Sequence, residues 1–490
     1  MGNHSRRRFL QLTGATAGGL TVGVGSASAN SGEEGRFFID LTEVDESEVP
    51  EDVEIIHDVS QIDLLVARGD PGTVGGASAT LPDIAVAQHG PVAERDKGGQ
   101  PGFASEEPTN GDLQWDKRAQ NVADIDEHPG KGGRYVHETT RGEGTSIAVI
   151  DSGVYDGHPD LADVVDEERS ENFTTDADDW RPNGAGNHGT HVAGTVAATN
   201  EGVGDAGGVT GTAPETDIVA LRVFSGQEGA GGDVIAAIMA AADRGCDAAN
   251  LSLGIPAETI AGLPESVVQQ YVAVYTAAVQ YARSQGMVVV NSAGNAGLDL
   301  DPEETFTIPT EIDGVFGVSA TGPIGFLWGD GPNMAHNALA PGHLEEPTTD
   351  PAFYTNYGES AIDISAAGGD LDQESDDENA ARDLVLSTVN VVGDDGEVEA
   401  GYGWKAGTSM AAPQVSGAVA LVRSLQPDAS VEEVEDLLRE TAVQQEAGEK
   451  YHGAGHLDLG ALVDAAGGSG NSGNGNGAGN GGGPGNGRAN

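Results

Sequence analysis

The sequence predicts an α/β protein built on a mostly parallel sheet with helices on both faces, and three observations predict it. Short, wholly apolar runs recur through the middle of the chain, as expected of strands buried on both faces. Helix-period stretches lie between several of them, the pattern of strands joined by helical crossovers. The chain has 490 residues, enough for one large domain with appendages.

The apolar runs are 146–150, 217–221, 248–253, 287–290, 315–319 and 361–364. The helix-period stretches include 233–244 and 266–285, the latter stopped by Gly286. Ser430 with Glu433 forms a capping box that opens a helix over 431–441. In such sheets, sites gather beyond the carboxyl ends of the strands, where Asp151 falls.

The flanks read differently. Residues 1–29 carry Arg6-Arg7-Arg8, a weak apolar run and Ala27-Ser28-Ala29, the make-up of an export signal; a disordered basic tail is the other reading. The paired arginines resemble a twin-arginine signal, a receptor-read address. Residues 30–105 form a small unit with short strands and turns at 36–41 and 53–68, then a Gly/Pro-rich linker over 69–102; taken alone it reads as a small binding domain, and between an export signal and a candidate protease as a propeptide. The stretches 322–351 and 368–383 read as insertions, and 467–490 as a Gly/Asn-rich disordered tail. No stretch holds the ~18 consecutive apolar residues of a membrane span.

Net charge is −56, from 79 acidic against 23 basic residues, of which five are Lys. Self-repulsion of this size destabilises a compact state. Molar salt shrinks the Debye length to ~3 Å and removes most of the penalty, so the composition fits a salt-rich environment. A disordered acidic chain is excluded by the 38% hydrophobic content gathered into defined segments. Nucleic acid and anionic membranes are poor partners for such a charge. Cys246 is the single cysteine, which excludes an intrachain disulfide and reads as a buried structural thiol.

Three motifs carry chemistry. Gly407-Thr408-Ser409-Met410-Ala411-Ala412-Pro413 puts an unhindered hydroxyl at a helix start, whose free N–H groups can hold an oxyanion. Pro413 cannot close the i→i−4 bond to Ser409 and loosens the turn beside it. His188-Gly189-Thr190-His191-Val192-Ala193-Gly194 supplies an imidazole, and Asp151-Ser152-Gly153 a carboxylate at a strand end. A serine hydroxyl is too weakly acidic to attack unaided. His188 would take its proton, and Asp151 would fix the imidazole tautomer. A metal-hydrolase reading would use His188 and His191, but their i, i+3 spacing lacks the H-E-x-x-H pattern.

On these motifs the chain from about 115 to about 460 resembles the subtilisin-like serine proteases, and among them the halolysins. The order Asp151, His188, Ser409 is the one known for subtilisin. The resemblance implies an Asp/His/Ser triad, an acyl-enzyme route and polypeptide substrates. It implies that Asn295 is the side-chain oxyanion donor, although spacing alone reads it as a turn residue before Gly297. It implies that Ser252, Leu253 and Gly254 pair with an extended substrate, which otherwise read as a strand end. Asp160, in His158-Pro159-Asp160-Leu161, matches a carboxylate holding structural Ca²⁺ in many relatives, whereas the partner loop 199–209 departs from the common pattern.

The peptidase domain is then expected over 106–466. The unit at 30–105 becomes a small α+β propeptide that inhibits its own enzyme, with the twin-arginine translocation machinery as export partner. The expected product is a secreted monomer that needs no cofactor for catalysis.

Overall fold

The computed structural model describes residues 35–75, 79–96, 109–122, 136–176, 178–183, 186–203, 207–226, 228–302, 305–325, 347–374, 378–393 and 396–468. The expected export signal at 1–29, nearly all of the Gly/Asn-rich tail, residues 326–346 of one expected insertion and 375–377 of the other lie outside them.

The N-terminal unit is a four-stranded antiparallel sheet of β1 (Arg36–Asp40), β2 (Glu54–Val59), β3 (Leu64–Arg68) and β4 (Thr80–Pro82), in the order β2-β3-β1-β4. Successive side chains alternate between its faces. Phe37, Ile39, Leu65 and Ala67 fill a small core of the unit's own. Phe38, Leu64, Val66 and Leu81 join a core shared with the main body. Among the described residues, its helical turns are short 3₁₀ segments such as Glu46–Glu48 and Ser60–Ile62.

The expectation of a linker over 69–102 is corrected over residues 80–96, while 76–78 and 97–102 lie outside the described residues. After β4 come β5 (Ala85–Gln88) and β6 (Ala93–Asp96), and both pair with strands of the main body. Gly and Pro gather in the 3₁₀ turn Pro71–Thr73 and at Gly90-Pro91 between β5 and β6, and the pairing partners of β5 and β6 lie more than 130 residues away in sequence, out of reach of a local pattern.

The main body contributes β7 (Ser146–Asp151), β8 (Glu171–Asn172), β9 (Asp217–Arg222), β10 (Phe224–Ser225), β11 (Glu228–Ala230) and β12 (Ala248–Leu251). Further along follow β13 (Leu253–Gly254), β14 (Val288–Ser292), β15 (Val315–Thr321) and β16 (Ile364–Ala367). Seven of these form one sheet in the order β16-β15-β14-β12-β7-β9-β8, and every pairing in it is parallel. The hairpin β17 (Val385–Val392) and β18 (Val398–Ala406) carries β6 on its edge.

Helices cover both faces, as the alternation of strands and helices predicts. The principal ones are α1 (His188–Ala197), α2 (Gly231–Asp243), α3 (Glu265–Ser284), α4 (Thr408–Leu425), α5 (Val431–Thr441) and α6 (Leu459–Gly467). Ile147 and Val149 of β7 pack in one core with Val192 of α1 and Val415 of α4. Ala148 and Ile150, one residue out of phase, pack in the other core with Ile235 of α2 and Tyr275 of α3. A period of two thus feeds two cores from a single strand. The helices bearing His188 and Ser409 therefore share one face, and both begin near the carboxyl edge of the sheet.

The capping box at α5 forms as expected, with Ser430 Oγ accepting from the Glu433 N–H and the Glu433 carboxylate accepting from the Ser430 N–H. Gly286 takes a left-handed φ of 91° after α3. Two strand expectations shift. The run at 248–253 divides at Ser252, where β12 leaves the main sheet and β13 joins another. The strand expected at 361–364 begins only at Ile364, because Ala361 and Ile362 pack in a separate cluster with Ala293 and Leu300.

Candidate active site

Asp151 is the last residue of β7, and the strand delivers its fully buried carboxylate to the sheet's rim. His188 opens α1, and its Nδ1 lies 2.9 Å from both Asp151 oxygens. Gly189 permits that approach. A Cβ there would sit 2.3 Å from the Gly153 carbonyl oxygen and 3.2 Å from Asp151 Cβ. Facing a carboxylate, Nδ1 is the nitrogen that carries the proton, which leaves the lone pair on Nε2. That Nε2 is buried and has no hydrogen-bond partner among the described residues.

His191 sits one turn further along α1 and serves the fold. Its Nε2 lies 3.2 Å from the carbonyls of Val385 and of Gly403, tying α1 to the β17–β18 hairpin. Burial, helped by the charges of Lys405 and His188, holds its pKa well below the usual imidazole value. Among the described residues no group of three or more His, Cys, Asp or Glu side chains is gathered to hold a metal.

Ser409 is the second residue of α4, and Asn295 lies against the helix start. Thr408 donates to Asn295 Oδ1 twice, from its N–H at 2.9 Å and its hydroxyl at 2.8 Å. With Oδ1 so engaged, Nδ2 must face outward. It donates to the carbonyl oxygens of His89 at 2.9 Å and Gly90 at 3.0 Å. Asn356 holds the loop beneath, donating to the Ala293 carbonyl and accepting from the N–H groups of Ala296 and Leu298.

Ser409 Oγ donates to the same His89 carbonyl at 2.5 Å. The expected hydrogen bond from Ser409 to His188 does not occur among the described contacts. A carbonyl of the chain itself lies within reach of the hydroxyl and takes its proton's hydrogen bond.

That carbonyl belongs to an extended segment. β5 runs antiparallel to β13, with Gln88 opposite Leu253 and Ala87 opposite Gly254, and the His89 N–H donates to the Ser252 carbonyl at 2.9 Å. The other edge of β5 pairs with β11, Val86 opposite Gly229. Beyond Gly90 the Val92 N–H donates to the Ala406 carbonyl at 2.7 Å, and β6 follows along β18. Ser252, Leu253 and Gly254 thus pair with an extended peptide, and that peptide is the chain's own residues 85–89.

Sequence reasoning passed over His89, Ser292, Thr408 and Asn356. Thr408 stood inside a motif already singled out. Ser292 opens the stretch Ser292-Ala293-Gly294-Asn295 that carries Asn295, whereas His89 and Asn356 carry no local signal, because their partners are set by tertiary contact.

Asp160 is fully buried. Its Oδ1 accepts from the Gly202 N–H at 2.6 Å, and its Oδ2 from the Val209 N–H and the Tyr402 hydroxyl, both at 2.9 Å. Calcium takes six to eight oxygen ligands, and two N–H donors on one carboxylate do not fit that demand. Cys246 is buried, and burial pushes its thiol up to about 11, the inert state expected of it.

Comparison with known proteins adds the lineage of this arrangement. A profile of the subtilase family matches residues 142–479. Subtilisin Savinase of Lederbergia lenta is 30% identical over 308 residues, covering 61% of this chain and 84% of that protein. The thermophilic serine proteinase of Bacillus sp. (strain AK1) is 31% identical over 59% of this chain, a match that spans 55% of the relative's length. Among solved structures, fervidolysin of Fervidobacterium pennivorans aligns over 88% of this chain and 61% of its own, with a TM-score of 0.61 at 21% identity. The epidermin leader peptide processing serine protease of Staphylococcus aureus aligns over 88% of this chain and 98% of its own, with a TM-score of 0.63 at 18% identity. At those identities the two structures speak to fold alone.

Proposed function

This chain belongs to the subtilase family, and from that premise we propose that it is a serine endopeptidase whose triad is Asp151, His188 and Ser409. One observation carries the reading: a peptide carbonyl, that of His89, rests between Ser409 Oγ and Asn295 Nδ2, on a strand added to the β13 edge. Strand addition fixes a polypeptide by its main chain and leaves selectivity to side-chain pockets.

In the proposed reaction Ser409 Oγ attacks the carbonyl carbon, and His188 Nε2 accepts its proton. The charge growing on the oxygen is held by Asn295 Nδ2 and the Ser409 N–H. His188 then protonates the leaving amine. Water, activated by the same imidazole, releases the acyl group. For this, Ser409 must turn its hydroxyl from the His89 carbonyl to the free Nε2.

The finer reading is a secreted, salt-adapted, halolysin-like enzyme, supported by the charge of −56 and the twin-arginine-like N-terminus. No helix of the described residues is long and apolar enough to cross a membrane. The unit at 30–105 acts as an inhibitory propeptide, a role supported by its β5 occupying the substrate edge. Calcium at Asp160 would have to displace the Gly202 and Val209 donors.

Ser409→Ala should lower peptide hydrolysis by several orders of magnitude with circular dichroism unchanged. A serine-directed phosphonylating reagent should label Ser409 in the processed protein. Unlabelled protein without hydrolysis would make the chain a binding module on a protease scaffold, and equal turnover in the variant would remove Ser409 as the nucleophile.

A further inference from the structure

We propose that the His89–Gly90 bond is this enzyme's own first substrate, and that Ser292 makes the pocket beside it selective for a histidine on the acyl side of the cut. The inference rests on the endopeptidase reading above and adds to it the maturation position and the side-chain class.

The bond is identified by its carbonyl. Of the peptide groups in residues 85–96, that of His89 accepts from Ser409 Oγ at 2.5 Å and from Asn295 Nδ2 at 2.9 Å. The segment is held on both sides of the bond. Its N-terminal side is a strand between β11 and β13, and its C-terminal side is tied at Val92 and along β6. The peptide is thus extended and clamped across the nucleophile, as a substrate must be for in-place attack.

The side chain is identified by its pocket. His89 Nδ1 lies 2.7 Å from Ser292 Oγ, at the buried end of β14. The ring's other nitrogen lies over Gly254, where a Cβ would come within 2.5 Å of it. Gly294 flanks the ring, with its own Cβ position 3.7 Å from His89 Cε1. Glycine at 254 makes the room, and the Ser292 hydroxyl supplies the polar contact. An apolar side chain in that space would leave the buried Ser292 hydroxyl without this partner, the kind of loss by which polar pockets discriminate.

The step balances as a hydrolysis. A bond forms from Ser409 Oγ to the His89 carbonyl carbon, and the bond from that carbon to the Gly90 nitrogen breaks. The Ser409 proton passes through His188 to the Gly90 nitrogen. Water then splits the ester, giving a His89 carboxylate and restoring the hydroxyl.

The test uses the full chain, refolded in high salt, and the processed enzyme it yields. N-terminal sequencing should read Gly90-Pro91-Val92, with a first-order rate independent of protein concentration, and the Ser409→Ala chain should stay uncut. On peptides Val-Ala-Gln-His and Val-Ala-Gln-Leu carrying a chromogenic amide, kcat/KM should favour histidine at least tenfold. Ser292→Ala should lower that ratio at least tenfold, with cleavage of the leucine peptide reporting that the variant is folded. A different new N-terminus, or a ratio that Ser292→Ala does not move, overturns this inference while peptide hydrolysis leaves the endopeptidase reading standing. Absence of all hydrolysis and labelling overturns both.

Discussion

At the scale of single residues, the site is a set of groups each fixed by a neighbour. Asp151 orients His188, and Thr408 orients Asn295 by filling Oδ1 from two donors, so that Nδ2 has one direction left. His89 adds a pH dependence. Burial of its ring, with the His188 imidazole nearby, pulls its pKa down to about 4, against ~6.5 for free histidine. A depressed pKa means that seating is fully favoured above ~6.5 and is lost as pH falls toward 4, where the free ring gains a proton that the seated ring refuses. The ratio of self-cleavage rates, wild type over His89→Leu, should therefore be flat above pH 6.5. It should fall by up to about 100-fold on acidification to pH 4, because seating weakens about tenfold for every pH step between the free and seated values. Stopped time courses of refolding chain at a series of pH values measure it, each pair of rates being taken at the same pH.

At the scale of elements, the N-terminal unit is docked by a buried ionic group as well as by apolar packing. Arg36 on β1 donates to Asp83 at 3.0 Å and to Asp233 at the start of α2 at 2.5 Å, and His57 Nε2 lies 2.7 Å from the same Asp233 oxygen. Beside them Phe38 meets Tyr271 of α3 edge-on, at 6.3 Å between ring centroids. Removing one partner of a buried ion pair strands the other charge, at a cost of about 3–5 kcal/mol. Arg36→Ala should therefore loosen the unit from the body. Limited proteolysis of an uncut Ser409→Ala background would show it as faster nicking in residues 35–96. Nicking no faster than in the Arg36 chain would leave docking to the apolar face and the β5 and β6 pairings.

At the scale of the whole molecule, charge sets the working conditions. Cations are few and are shared. Arg181 pairs with Asp156, Asp179 and Glu167, and Arg439 with Asp363, Glu435 and Asp436. With 79 acidic residues against 23 basic ones, most carboxylates still have no cation to themselves. Lowering salt from ~1 M to ~0.1 M lengthens the Debye length from ~3 Å to ~10 Å and restores their mutual repulsion. The thermal midpoint and the activity should both fall over that range, and a flat curve would oppose salt adaptation. The same series run with a chelator at fixed ionic strength tests Asp160. An unchanged midpoint leaves it a hydrogen-bonded loop anchor, and a drop of several degrees assigns it a divalent ion.

Local patterns along the chain specify the parallel sheet, its two covering layers, and the motifs bearing Asp151, His188 and Ser409, whereas the role of Asn295 comes from the family resemblance. Those signals are local: a period of two along a strand, 3.6 along a helix, a capping box, a glycine where backbones touch. Tertiary contact alone fixes that residues 80–82, 85–88 and 93–96 are strands, that the chain passes from one sheet to another at Ser252, and which carbonyl rests on Ser409. Main-chain pairing between distant edges uses N–H and C=O groups that every residue but proline carries alike, so no side-chain pattern announces it. The pocket that receives His89 follows from that pairing, because the register of β5 against β13 chooses the residue that faces Ser292.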